Sequence, residues 1–383
     1  MLLNRFENKN DIERYNSDFN NKFYDFIQRH HDKRFNWKHI SANPNITMDI
    51  IKNNPDKPWE WIYVSTNSNI TMDMIEKYQN KEWGYNWISR NRNITMDMIE
   101  KNPNKPWNWY WISTNPNITM SMIENHPDKP WDWFNISLYC NITIEFIKKN
   151  HDKPWDYRCL SRNPAITMDM IEKHCDIPWI WDNISCNSNL TMTMIEKNPE
   201  KCWNWSYISS NQNITMNLIE NNLDKPWDWR CVSMNPNLTM SMVNKHPDKG
   251  WNWHEISSNP AITMNMIEDN LNKPWNWRCI SNSQNLTMTM IENHPNKPWD
   301  WCEISSNPVI TMDIIDDNPD KPWNYNFISL NGMQLGKEEW IKKRRKNVET
   351  KRKISYKVLC KIFESDICEL IVNNINYSLE FIL

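Results

Sequence analysis

Glycine is almost missing from this chain, with 4 residues in 383 where about 7% is usual. That scarcity excludes folds built on phosphate-cradling loops and tight hairpin turns, both of which draw on glycine's freedom at positive φ. The chain also lacks any C-x-x-C pair and any apolar run near the ~20 residues that a membrane helix needs. Charge of one sign is lacking as well: the formal net charge is -3, which gives no global attraction to nucleic acid or an anionic membrane. The opening MLLNRFENKNDIERY returns to charge after Leu2 and Leu3, so no secretory signal is expected. The ten cysteines are scattered, a pattern that reads as free, buried thiols in a reducing compartment.

In place of glycine the chain carries 25 Trp, 22 Met and 22 Pro, and these fall on a beat. The threonine of a recurring I-T-M motif stands at 47, 71, 95 and so on to 311, every interval being 24 residues. An aromatic keeps the same interval from Phe35 and Trp59 to Trp323. The unit reads W-[DNE]-W-x-x-I-S-x-N-P-N-I-T-M-D-M-I-E-x-N-P-D-K-P. A fixed period of this length is the signature of a repeat architecture, so one repeated domain replaces the two or three that length alone suggests.

Each unit holds two helical signals. In T-M-D-M-I-E the threonine is an N-cap residue and the following aspartate suits the positive end of the helix. Ile70 and Ile75 have the spacing of a hydrophobic staple. The run stops near Asn-Pro, because a residue before proline avoids the α region. The second signal is K-P-W-D-W-x-x-I-S, with proline expected in the first helical turn. Helices of about two turns are unstable alone, so stacked units must share a core, with an indole ladder and methionine filling gaps. The expected fold is all-α: a solenoid of about twelve two-helix repeats forming a rod or superhelix of roughly 100–120 Å. A leucine-rich-repeat-like solenoid is the alternative, since 24 residues lies in that period range. Residues 1–34 read as a degenerate N-terminal cap, with Phe26-Ile27 and Asp32-Lys33 in phase with later units. Residues 35–331 are the array, and 332–383 form a basic helical C-terminal cap whose Val358, Leu359, Ile362 and Phe363 are expected to close the last core.

The unit, most clearly Asn115-Pro116-Asn117-Ile118-Thr119-Met120 with Lys129-Pro130-Trp131-Asp132-Trp133, resembles the Trp-rich tandem repeats of uncharacterised proteins from giant DNA viruses related to mimivirus. The resemblance covers about residues 35–331 and implies a virus-encoded protein, placed in host cytoplasm, a viral factory or the particle. It brings no catalytic residues and no cofactor.

No convergent catalytic or metal-ligating constellation stands out, so no enzymatic activity, cofactor or metal is expected. His30-His31 reads as a surface loop. The Asn-x-Thr sequons, such as Asn69-Ile70-Thr71, read as turn and cap elements rather than glycosylation sites. The positions that vary most are the fourth and fifth of the unit. Their residues include Tyr63, Trp87, Trp111, Asn135, Arg158, Arg230, Glu255, Arg278 and Glu303, and such aromatic and arginine side chains suit a protein partner. Self-association in a particle is a second expectation. A nucleic-acid reader is a third, disfavoured because residues 1–336 carry about -7 where phosphate binding needs cations. It would use the basic segment Lys342, Lys343, Arg344, Arg345, Lys346, Lys351, Arg352 and Lys353, which also fits a nuclear localisation signal.

Overall fold

A computed structural model describes residues 9–359. The described residues form 27 helices and no strand, so the chain is an all-α repeat solenoid and the leucine-rich-repeat alternative is excluded. Two helix types alternate. Thirteen begin at or near the second aromatic of a unit, from Trp37–Ala42 to Tyr325–Leu330; we call them W helices. Twelve follow the threonine, from Met48–Asn53 to Met312–Asp317; we call them Thr helices. A longer N-terminal helix (Lys9–Arg29) and a C-terminal helix (Gln334–Leu359) complete the set.

Local chemistry sets each boundary. The Thr47 hydroxyl accepts from Ile50 N, and the same cap recurs in every Thr helix except that of Thr71. Such a cap is worth about 1 kcal/mol. The W helix starts later than the proline suggests. In ten of the thirteen units Asn or Asp at the second position is the N-cap, as where Asp156 Oδ1 accepts from Cys159 N at 3.0 Å; Glu60, Gly84 and Ile180 stand there in the other three. The preceding Lys-Pro lies in the turn, because the first tryptophan is used elsewhere. Its indole N–H donates to a carbonyl just past the end of the Thr helix, as Trp59 does to Asn54 O at 2.7 Å. All twelve first-position tryptophans do this.

Three ladders join unit to unit. In the first, the serine of I-S donates to the carbonyl four residues back, as Ser65 does to Trp61 O. Its oxygen also accepts from the backbone N–H that opens the next W helix, as Ser65 does from Gly84 N at 2.9 Å. In the second, buried asparagines such as Asn187 donate to Ser161, Asn163 and Ile166 carbonyls of the preceding unit. Their Oδ1 accepts from the backbone two residues on. Tyr139 and Ser283 replace this asparagine in two units; the Ser283 hydroxyl takes over the local bond, accepting from Asn285 N, and Tyr139 swings out to 60% exposure. In the third, the second aromatic of one unit meets the first aromatic of the next edge-to-face, as Trp61 meets Trp83 at 5.1 Å. Such pairs add about 0.5–1.5 kcal/mol each beyond area burial.

All three ladders close on themselves, so the expected rod is a ring. Asn36 N donates to Ser329 Oγ at 2.9 Å, Asn43 donates to the Ser329 and Asn331 carbonyls, and Tyr325 meets Phe35 edge-to-face at 5.3 Å. With this contact the serine ladder has thirteen rungs and no gap. The array counts thirteen W units and twelve Thr helices, and the N-terminal helix stands in the thirteenth slot. Phe26 and Ile27 are buried there, in the register that the repeat assigns to Met-Ile. Lys22 pairs with Asp313 at 2.6 Å and Arg29 with Asp316 at 3.0 Å, tying that helix to the last Thr helix. His30 lies 3.3 Å from Asp316 and against Tyr325, so it belongs to this seam rather than to a surface loop.

The C-terminal helix clasps the seam from outside the array. Trp340 packs on Phe19, and Lys337 Nζ donates to Asn20 and Asn45, with burial holding its pKa down to about 8. Gly332 and Gly336 are required here: an added Cβ would stand 2.9 Å from Pro44 Cγ at the first and inside contact distance of Thr311 at the second. The stretch containing Ile362 and Phe363, and the side chains of Val358 and Leu359, lie outside the described residues.

Two outcomes check this architecture. Small-angle scattering of the full chain should give a maximum dimension well below that of a rod, since thirteen units at ~8–10 Å spacing close to a mean ring diameter of roughly 33–41 Å before side chains and terminal helices are added; a value near 110 Å would mean an open rod. Replacing Asn187 by Leu strips three carbonyls of a buried donor. The expected loss is about 2–3 kcal/mol in urea unfolding, with Asn187→Ser, the residue found at 283, costing less.

Candidate functional site

Neighbouring W helices approach one another more closely than neighbouring Thr helices, and the last W helix meets the first in the same way. In a closed ring the tighter-spaced layer lies on the smaller circumference, so the W helices form the inner layer. Between Thr helices the wider gap is spanned by long side chains, such as Lys149 to Glu124 at 2.7 Å and His126 to Glu100 at 2.9 Å. The inner wall is therefore the W-helix face turned away from the core.

Helix geometry decides what lines it. Trp61, Val64 and Ser65 face the core and the neighbouring units, while Ile62 and Thr66, one turn apart, share the opposite face. The fourth position of the unit is exposed in twelve of the thirteen units, Ser206 being half-buried. The fifth is turned partly toward the neighbouring unit. Asn135 is buried at 2% exposure, its amide donating to Tyr110 O, so it is an inter-unit contact and not part of a binding face. Cys159, also fifth in its unit, is buried. The eighth position is the one that sequence reasoning missed: Arg90, Arg162 and Met234 are exposed there. The i, i+4 spacing from the fourth position was the signal that could have found it.

The wall divides into two arcs. From the second to the fifth unit it is aromatic and apolar: Ile62, Trp87, Tyr110 and Phe134 are 42–50% exposed. Trp111 is half-buried between Tyr110, at 4.9 Å and edge-on, and the Arg90 guanidinium 4.8 Å above its ring. Tyr63 lies under Lys38 at 5.8 Å. From the seventh to the twelfth unit polar and charged residues predominate beside exposed Tyr207 and Met234, and several of the charges meet one another. Arg278 pairs with Glu303 at 3.0 Å and lies 3.6 Å from Asp300, and the hydrogen bond to Glu303 raises its pKa further. Glu255 is half-buried beside His254 at 3.9 Å. Asp228 accepts from Ser206 at 2.7 Å, which lowers its pKa. Arg158 and Arg230 are exposed, with Arg158 3.7 Å from Asp156.

The basic segment lies on the C-terminal helix, away from the wall. Lys342, Lys343 and Lys346 are exposed, whereas Arg344 stacks on Trp340 and reaches Asp18 at 3.5 Å. The side chains of Lys351, Arg352 and Lys353 lie outside the described residues. Among the described residues no three His, Cys, Asp or Glu come together as a metal site, and no helix is long and apolar enough to cross a membrane. Eight of the nine sequon asparagines donate to a neighbouring unit's carbonyl, as Asn69 does to Pro44 O at 2.6 Å and Asn189 to Pro164 O at 2.8 Å.

Compared with protein-family models, with curated proteins and with solved structures, the chain matches none of them. The ring's own geometry carries the reading of its surface.

The cysteines test the register of the inner wall. The eight described thiols are free, but only Cys140 and Cys159 are buried, with Cys175, Cys202 and Cys302 exposed. Burial pushes Cys140 and Cys159 up to about 11, and thiolate is the reactive form. Site-resolved mass spectrometry after iodoacetamide at pH 8 should find Cys302 alkylated rapidly and Cys159 protected until the chain is unfolded. Equal rates would mean that the W helices are rotated from the described register.

Proposed function

We propose that this protein is a non-enzymatic scaffold that holds a polypeptide partner against the inner wall of its ring. One observation carries the reading: positions that vary from unit to unit line a single continuous wall, and four successive units there expose large apolar side chains. The ladders use the same residues in nearly every unit, so the wall is the part of the repeat that can differ without disturbing closure. Exposed apolar arcs of this kind mark interaction sites on soluble domains, and tryptophan, tyrosine and arginine dominate binding hot spots. The resemblance to giant-virus repeat proteins sets this role in an infected cell, in host cytoplasm or a viral factory.

Photocrosslinking tests it. A benzophenone amino acid at Tyr110, on the wall, should capture one polypeptide from infected cells, whereas the same group at Lys52, on a Thr helix, should not. The triple substitution Trp87→Ala, Tyr110→Ala, Phe134→Ala should weaken that complex by on the order of 100-fold, as loss of hot-spot anchors does. Capture from Lys52 alone would move the site to the outer face and end the proposal.

A further inference from the structure

The cations of the inner wall are distributed unevenly, and that unevenness specifies a partner. In the first six units the fourth and eighth positions carry Lys38, Arg90, Arg158 and Arg162 and no acidic residue. Lys38, Arg90 and Arg162 have no carboxylate within ion-pair distance among the described residues; two of the four lie over aromatic faces instead. The opposite arc has arginine and glutamate in contact, as Arg278 and Glu303 are. The opposite arc thus pairs Arg278 and leaves Arg230 as its one exposed arginine without an ion pair among the described residues, while the first six units present Lys38, Arg90 and Arg162 without ion pairs among exposed rings, and Arg158 3.7 Å from Asp156.

We propose that this half, from the first to the sixth unit, docks an acidic polypeptide segment whose apolar side chains seat on the aromatic arc while its carboxylates meet Lys38, Arg90, Arg158 and Arg162. The inference rests on the reading of the inner wall as a protein-binding surface and adds the chemistry of the partner. Arginine over a ring is held in place with its N–H fork free at the edge, the geometry that suits a carboxylate. Five steps of ~8–10 Å make an arc of roughly 40–50 Å, the reach of about 12–15 residues in extended form. A single nucleic-acid strand is the rival for a surface of rings and cations. Four cations over six units are too sparse for a phosphate at every nucleotide. Asp132 and Asp156, capping W helices in the same arc, would also oppose a continuous phosphate chain. Discrete carboxylates along a peptide match both features.

The test is a random 15-residue peptide display library selected on the full-length chain, with depletion on the variant Arg90→Glu, Arg158→Glu, Arg162→Glu, and with a dT15 oligonucleotide measured in parallel. The substituted side chains are exposed, so circular dichroism and the thermal midpoint should be unchanged and a lost ligand means a lost site. Selected peptides are expected to combine at least three Asp or Glu with two or more aromatic or leucine residues. They should bind the charge-reversed variant at least 30-fold more weakly and lose affinity in high salt. Neutral or basic peptides bound on the wall would overturn the acidic partner and leave the protein-binding wall intact. Salt-sensitive dT15 binding abolished by the same variant, without peptide enrichment, would assign the surface to nucleic acid and overturn both. Enrichment that ignores Arg90, Arg158 and Arg162 would place the partner elsewhere and overturn this proposal alone.

Discussion

A helix of four to seven residues has more free backbone groups at its ends than it has internal hydrogen bonds. The described residues contain twenty-five of them, and the rest of the architecture follows from how those ends are satisfied. Threonine hydroxyls, aspartate and asparagine cap the starts within the unit. The remaining groups are met across the unit boundary, by the serine that receives the first N–H of the next W helix and by the buried asparagine that donates to the preceding unit. No unit is complete by itself, so stability resides in the interfaces, and a chain whose every interface is alike gains from having no ends. Closure supplies that: the groups that an open solenoid would leave to water at each terminus become the thirteenth rung.

The seam shows what closure costs in regularity. Twelve Thr helices serve thirteen W helices, and the vacancy is filled by an N-terminal helix of 21 residues with a different sequence and the same buried register. The seam draws on charge more heavily than the other boundaries, through Lys22, Arg29, His30 and the aspartates at 313 and 316. The C-terminal helix then covers it, burying a lysine whose proton is held weakly. Repeat arrays commonly end in polar caps; here the two terminal helices join the ends rather than shielding them.

Division of labour within the unit explains why the same protein can be uniform and specific. Core-facing and boundary-facing residues are fixed by ladder chemistry, and the two departures from the buried asparagine are met in different ways: Ser283 repeats part of the bonding, and Tyr139 turns out of the boundary. Residues one helical turn apart on the inner face carry no such duty. They hold the aromatic arc, the cations of the first six units and a mixed, mainly polar arc in which Arg278 meets Glu303.

Much of this was determined by the sequence alone. The 24-residue interval, the two helices per unit, the threonine caps and the Met-Ile register around Phe26 are local matters of spacing and side-chain hydrogen bonding, and they stand in the structure as the residues imply. The serine ladder was visible as an invariant serine without its meaning, because its acceptor role spans 19 residues to another unit. Closure was decided by tertiary structure. It depends on each unit turning about 28° relative to the last, so that thirteen complete a circle, and a solenoid's curvature is the sum of such small rotations. No residue type records an angle of that size. The inner wall inherits the same origin: which side of a repeated helix faces inward, and hence that Asn135 is a boundary contact while Arg90 and Arg162 are surface, is fixed only once the ring has a centre.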